Sequence, residues 1–181
     1  MIYPSRLSGV APKSGDIHHY AMNSNKEITH LILDDVTGDM YDYGILTGVV
    51  ETVNESTEES SRLNGTYNYV INGTNGILNT NNILYNVSEG PTIFFYKDGK
   101  ISGMRNLKEA DIDELSYVSV ISSNQKYEIA DDVQVYIQSK RNVYVLTQLN
   151  AVNTDEYTLT GYYENTYSAG GQIRLIVAER K

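Results

Sequence analysis

Gly90–Leu107, GPTIFFYKDGKISGMRNL, reads as a β-hairpin. A β-prone apolar run, Ile93-Phe94-Phe95-Tyr96, meets the turn Lys97-Asp98-Gly99-Lys100, and a second strand carries Ile101 and Met104. Asp-Gly between two such runs marks a tight turn, because Gly accepts the positive φ that hairpin turns need. The same order of residues occurs at Gly15–Leu33, GDIHHYAMNSNKEITHLIL. A third version runs from Asp132-Val133-Gln134-Val135-Tyr136 through Lys140-Arg141-Asn142 to Val143-Tyr144-Val145-Leu146. The recurrence predicts an all-β chain built from repeated hairpins. A lone hairpin is marginal in water, so its strands must be covered by others, and closure into barrels or sandwiches is the expected solution.

The rest of the chain fits that frame. Residues 1–14 read as an extended lead-in, 15–107 as a first β-barrel-like domain and 108–181 as a second, two small barrel- or sandwich-like units in tandem. Expected strands are Ile17–Met22, Ile28–Leu33, Tyr43–Val53, Leu63–Ile71, Ile77–Thr80, Ile83–Val87, Ser116–Ser122, Lys126–Ile129, Val133–Gln138, Val143–Leu149, Tyr157–Tyr163 and Gln172–Glu179. Asn72-Gly73 and Asn81-Asn82 are turn signals between them. Asn54–Arg62, NESTEESSR, holds no large apolar residue and reads as an exposed hairpin tip. Lys108–Leu115, KEADIDEL, is the one helix-like patch, a linker turn too short to stand alone.

Composition narrows the function. Lys and Arg number 14 against 23 Asp and Glu, and the net charge is −9. By count from the sequence, −5 falls on residues 1–107 (7 basic, 12 acidic) and −4 on 108–181 (7 basic, 11 acidic). With no basic patch, nucleic acid and anionic membrane surfaces are poor partners. No stretch approaches the roughly 18–20 apolar residues of a membrane span, so no membrane insertion is expected. The absence of Cys removes disulfides, thiolate metal sites and a Cys nucleophile. There are 16 Tyr, 2 Phe and no Trp, together with 17 Asn. Tyr suits half-buried strand positions, its ring packed and its hydroxyl wet. This Tyr-, Asn- and Thr-rich, Lys-poor composition points to an exported bacterial protein. The N-terminus lacks the apolar core of a signal peptide, so any export signal is expected upstream of Met1.

Two stretches carry a resemblance. Residues 28–50, ITHLILDDVTGDMYDYGILTGVV, and 157–180, YTLTGYYENTYSAGGQIRLIVAER, resemble the β-rich modules of S-layer-homology-domain-containing surface proteins of Gram-positive gut bacteria. The resemblance spans most of residues 15–181. It implies an extracellular, wall-associated setting, neighbouring domains of a larger surface protein as partners, and no catalytic residues. The S-layer homology repeat itself is absent: there is no Trp-Ala pair and no run of amphipathic helices. Wall binding therefore does not carry over to these residues.

Candidate chemistry is sparse. Asp34, Asp35 and Asp39, with Asp42, form the one acidic loop dense enough to offer oxygens to calcium, although its spacing is not that of an EF-hand. The competing reading is a solvated loop in which Asp caps turns. Asp131-Asp132 reads as the start of a strand. His18 or His19 would face His30 across the first hairpin, too few ligands for tetrahedral zinc. Four Asn-x-Ser/Thr sequons, at Asn54, Asn64, Asn72 and Asn86, follow from Asn-rich turns. No catalytic residue and no cofactor is expected: G-x-S-x-G and phosphate-binding Gly loops are missing. The expected function is that of a non-enzymatic structural or adhesive module of a cell-surface protein. The alternative is a glycan or wall-polymer binder using Tyr67, Tyr69, Tyr85, Tyr162, Tyr163 and Tyr167. An enzyme of unknown class is the remaining alternative.

Overall fold

The computed structural model describes residues 17–33, 41–54, 62–97, 99–165 and 171–181. The chain is all-β, and no α-helix occurs among the described residues. Strands β1 (Ile17–Met22) and β2 (Ile28–Leu33) form a two-stranded antiparallel sheet. Their turn is built by Asn23, whose Oδ1 accepts the N–H of Asn25 at 3.0 Å and of Glu27 at 2.9 Å. Strands β3 (Tyr41–Asn54), β4 (Arg62–Ile71), β5 (Thr74–Asn81), β6 (Gly90–Lys97) and β7 (Lys100–Asn106) form a five-stranded sheet in the order β5-β4-β3-β6-β7.

The remaining strands are β8 (Lys108–Asp111), β9 (Glu114–Leu115), β10 (Ser119–Ser122), β11 (Gln125–Lys140), β12 (Val143–Thr147), β13 (Tyr157–Tyr163) and β14 (Gln172–Arg180). They make a seven-stranded sheet, β8-β13-β14-β11-β10-β9, with β12 also on β11. The pairing of β11 with β14 is parallel; the other pairs are antiparallel. One sheet of the molecule curls as a half-barrel. The chain divides into two compact units. One holds the described residues up to Asp42 with Phe94–Gly103, the other Tyr43–Ile93 with Met104–Lys181.

All three hairpins quoted above form. In the opening one, Gly99 takes φ +70°, the conformation for which Gly was expected. The same local signal serves three different sheet positions: an isolated pair, the edge of a five-stranded sheet, and the long strand of a seven-stranded one. Asn72 and Gly73 both have positive φ, 51° and 73°, as a two-residue primed turn requires.

The structure corrects three readings. Lys108–Leu115 is not a helical turn: it supplies β8 and β9. Lys108–Asp111 completes the free edge of β13, and Ile112 is buried in the core. Pairing with an open edge outweighs a weak local helix preference. Residues 83–87 form no strand; only Thr74–Asn81 does, as β5. The segments 126–129 and 133–138 are one continuous strand, β11, so Asp131-Asp132 lies in its middle and not at a strand start.

In the larger unit, two apolar clusters flank β11 and β14. Ile112, Val120, Tyr127, Ile129, Val135, Leu159, Ile173 and Ile176 belong to one. Ile45, Val70, Tyr136, Leu175 and Val177 form the other. β14 is buried over six consecutive residues, from Ile173 to Ala178, because it lies between β11 and β13 and packs on both faces.

Candidate functional site

The most irregular place in the larger unit is the middle of β11. Ile129 pairs with Ile173 of β14, and the next pair is Gln134 with Leu175. Residues 130–133 are therefore excess chain on β11. On its other edge β11 pairs with β10 through 125–128 and with β12 through 135–140, so 130–133 lies between the two ladders. β14 is irregular at the same level. Tyr163 pairs with Ile173 and Tyr162 with Leu175, which leaves Arg174 as its own extra residue. Bulges increase local twist and bend a strand, as a curled sheet needs.

The two bulges hold each other. Arg174 is 4% exposed, and its Nη1 reaches Asp132 Oδ1 at 3.4 Å. Its Nη2 lies 3.8 Å from Glu164 Oε1, and the guanidinium carbon lies 5.4 Å from the Tyr43 ring centroid. Tyr43 donates its hydroxyl to Glu164 at 3.0 Å. A buried cation persists only with such compensation. The network continues through neutral groups. Gln134 Nε2 donates to the Tyr43 carbonyl at 2.7 Å, and its Oε1 accepts the Tyr136 hydroxyl at 2.6 Å. The amides of Asn72 and Gly73, at the β4–β5 turn, donate to Gln134 Oε1 and to the Tyr136 hydroxyl, each at 3.2 Å. Desolvation pushes the Tyr136 phenol up, against the two turn amides that pull it down.

Residues of the bulge, Ala130, Asp131 and Val133, also line a groove of about 530 Å³. Ile129, Ala130 and Val133 contribute its apolar surface, with Leu149 from a single 3-10 turn, Leu149–Ala151. Glu128, Lys126, Asp131 and Gln172 supply polar groups. Gln172 Nε2 lies 3.5 Å from Glu128 Oε2, across the β11–β14 pair. Tyr117 and Val118 also line it, and both are exposed. Ser116 clamps their turn: its Oγ donates to the Ser119 carbonyl at 2.8 Å and accepts the Ser119 amide at 3.0 Å. The Val118 carbonyl accepts the Ile129 amide at 2.9 Å. Tyr117 is thus fixed at its backbone and left 79% exposed.

A second polar centre lies in the five-stranded sheet. Glu51 Oε1 accepts the Tyr67 hydroxyl at 2.6 Å and the amides of Tyr85 at 3.1 Å and Asn86 at 3.0 Å. The carboxylate thus holds the segment after β5 at residues 85 and 86. Burial and the Glu51 hydrogen bond push the Tyr67 phenol up to about 12. Burial, together with Glu109, Tyr144, Glu179 and Asp111, raises Tyr162 to about 12.

The residues expected from the sequence fall as follows. Asp34, Asp35 and Asp39 lie outside the described residues, and Asp42 is half-buried on β3. His19 and His30 are exposed; His30 lies opposite Ala21, so His19 is its diagonal neighbour. Among the described residues, no group of three or more His, Cys, Asp or Glu could hold a metal ion. Of the six Tyr proposed as an exposed row, Tyr67 is buried and Tyr69, Tyr85, Tyr162 and Tyr163 are half-buried, while Tyr167 lies outside the described residues. An exposed row is therefore not what the five described tyrosines form. Among the described residues two tyrosines are exposed, Tyr20 at 50% and Tyr117 at 79%; Tyr117 follows a Ser in the turn Leu115–Ser119, and that Ser-Tyr-Val-Ser pattern was its only sequence signal.

Comparison of the chain with protein-family models, curated proteins and solved structures finds no match.

Proposed function

We infer that this chain is a non-enzymatic structural or adhesive module of an exported bacterial cell-surface protein. The observation that carries the reading is how the chemistry-bearing side chains of the larger unit are used. Arg174, Asp132, Glu164, Gln134, Tyr43 and Tyr136 bond to one another and to main chain, joining β3, the β4–β5 turn, β11 and β14. Polar groups spent on fixing strands suit a body that resists unfolding and proteolysis. The Tyr- and Asn-rich, Cys-free composition and the resemblance at residues 28–50 and 157–180 support an extracellular, wall-associated setting. Neighbouring domains of a larger surface protein and cell-wall glycan are the partners this reading names.

The test is location. An epitope-tagged copy of the gene is expressed in its own host, and intact cells are treated with protease. Loss of the tag from intact cells, with a cytosolic marker spared, is the expected result. Recovery of the tag only in the protected cytosolic fraction overturns the reading.

A further inference from the structure

We propose that the groove over the β11 bulge is a binding site for a neutral oligosaccharide, with Tyr117 as its stacking platform. This goes beyond the structural reading and stands whether or not the chain is exported, because it rests on the groove alone. At about 530 Å³ the groove is within the usual size of small-ligand sites. Its chemistry pairs apolar surface with hydrogen-bonding ends. Tyr117 offers a ring face 79% open to water, on a turn whose backbone Ser116 and Ile129 hold fixed. A rigid, exposed ring binds with little ordering cost, and the CH face of a sugar ring is a matching apolar surface.

The polar groups suit hydroxyls. Glu128 and Asp131 accept, Lys126 donates, and the Gln172 amide does both. Two carboxylates against one ammonium, in a chain of net charge −9, disfavour a polyanion. An extended peptide adding to the β11 edge is the rival occupant. Strand addition needs a regular run of edge N–H and C=O groups, and the bulge at 130–133 interrupts that run along the groove.

The test titrates ¹⁵N-labelled protein with neutral hexasaccharides of glucose, mannose, xylose and N-acetylglucosamine at millimolar concentration. Chemical-shift changes are expected at residues 117–119, 128–131 and 172 for at least one of them. Tyr117→Ala is expected to weaken that binding by about tenfold or more while leaving thermal unfolding unchanged, since the ring is a solvent-exposed anchor. Asp131→Asn, which alters a groove acceptor without touching the Arg174 network, checks the polar half and is expected to weaken binding less. No shift with any sugar, binding undiminished in Tyr117→Ala, or shifts at 130–133 produced only by a mixture of extended peptides would each overturn the proposal.

Discussion

Arg174 and Glu51 each pin an irregular segment, but in opposite ways. Arg174 is a buried cation that needs Asp132, Glu164 and the Tyr43 ring to be tolerable, and it fixes a bulge. Glu51 is an anion satisfied by one phenol and two backbone amides, and it fixes a loop. The first arrangement joins charges that are costly to separate. The second hands hydrogen bonds to main-chain groups that would otherwise reach water. Loss of the cation should therefore be felt across two strands, and loss of the anion mainly in one segment.

The largest effect is expected from Arg174→Met. It leaves Asp132 and Glu164 facing an apolar side chain, and breaking one partner of a buried pair costs about 3–5 kcal/mol. Asp132 keeps some solvent, with 21% of its side chain exposed, so about 3 kcal/mol is expected in urea unfolding. A loss below about 1 kcal/mol would show that the paired bulges do not depend on the ion pair. Next comes Glu51→Ala, at about 2 kcal/mol, because the Asn86 amide and the Tyr67 hydroxyl lose their acceptor and the Tyr85 amide keeps only the Tyr67 hydroxyl, at 3.1 Å. Hydrogen exchange should quicken at Tyr85 and Asn86 and stay unchanged at residues 130–133; equal acceleration at both would erase the contrast.

Alkaline pH tests the Glu51 centre through Tyr67. Tyr67 and Tyr162 titrate near 12 in the fold against 10 in the unfolded chain. Between those values the unfolded chain has released protons that the fold retains, so stability falls with rising pH. The contribution is complete below pH 10 and is lost as pH approaches 12. Tyr67→Phe should make the decline shallower, measured by the urea midpoint at pH 9, 10 and 11. An unchanged slope would remove Tyr67 from the effect. The smallest change is expected from Tyr117→Ala, within about 0.5 kcal/mol, as for an exposed side chain outside both centres.

Strands whose partners are close in sequence were legible from it. Ile17–Met22, Ile28–Leu33 and Tyr157–Tyr163 have the boundaries that apolar runs and Asn or Gly turns indicate. Features set by distant partners were not. Lys108–Asp111 becomes a strand only because β13 offers it an edge. Asp132 and Arg174 look like ordinary strand-surface charges until two register shifts bring them together. The half-buried strand role of Tyr was legible, but which Tyr ring each partner covers was not. Tyr is amphipathic, and which end meets water is decided by neighbours such as Glu51 and Gln134, far away in the chain.

The parallel pairing of β11 with β14 has a consequence for the order in which the molecule comes into being. β14 follows both β11 and β13 in sequence, yet it lies between them in the sheet. A ribosome-bound chain ending before residue 172 therefore has β11 and β13 but nothing to join them. Arg174, the partner of the β11 bulge, is also still to come. Completion of this sheet must wait for β14, and closing the long loop between β11 and β14 is a slow, high-contact-order event. Until that strand arrives, the emerging polypeptide remains unfinished and threadable.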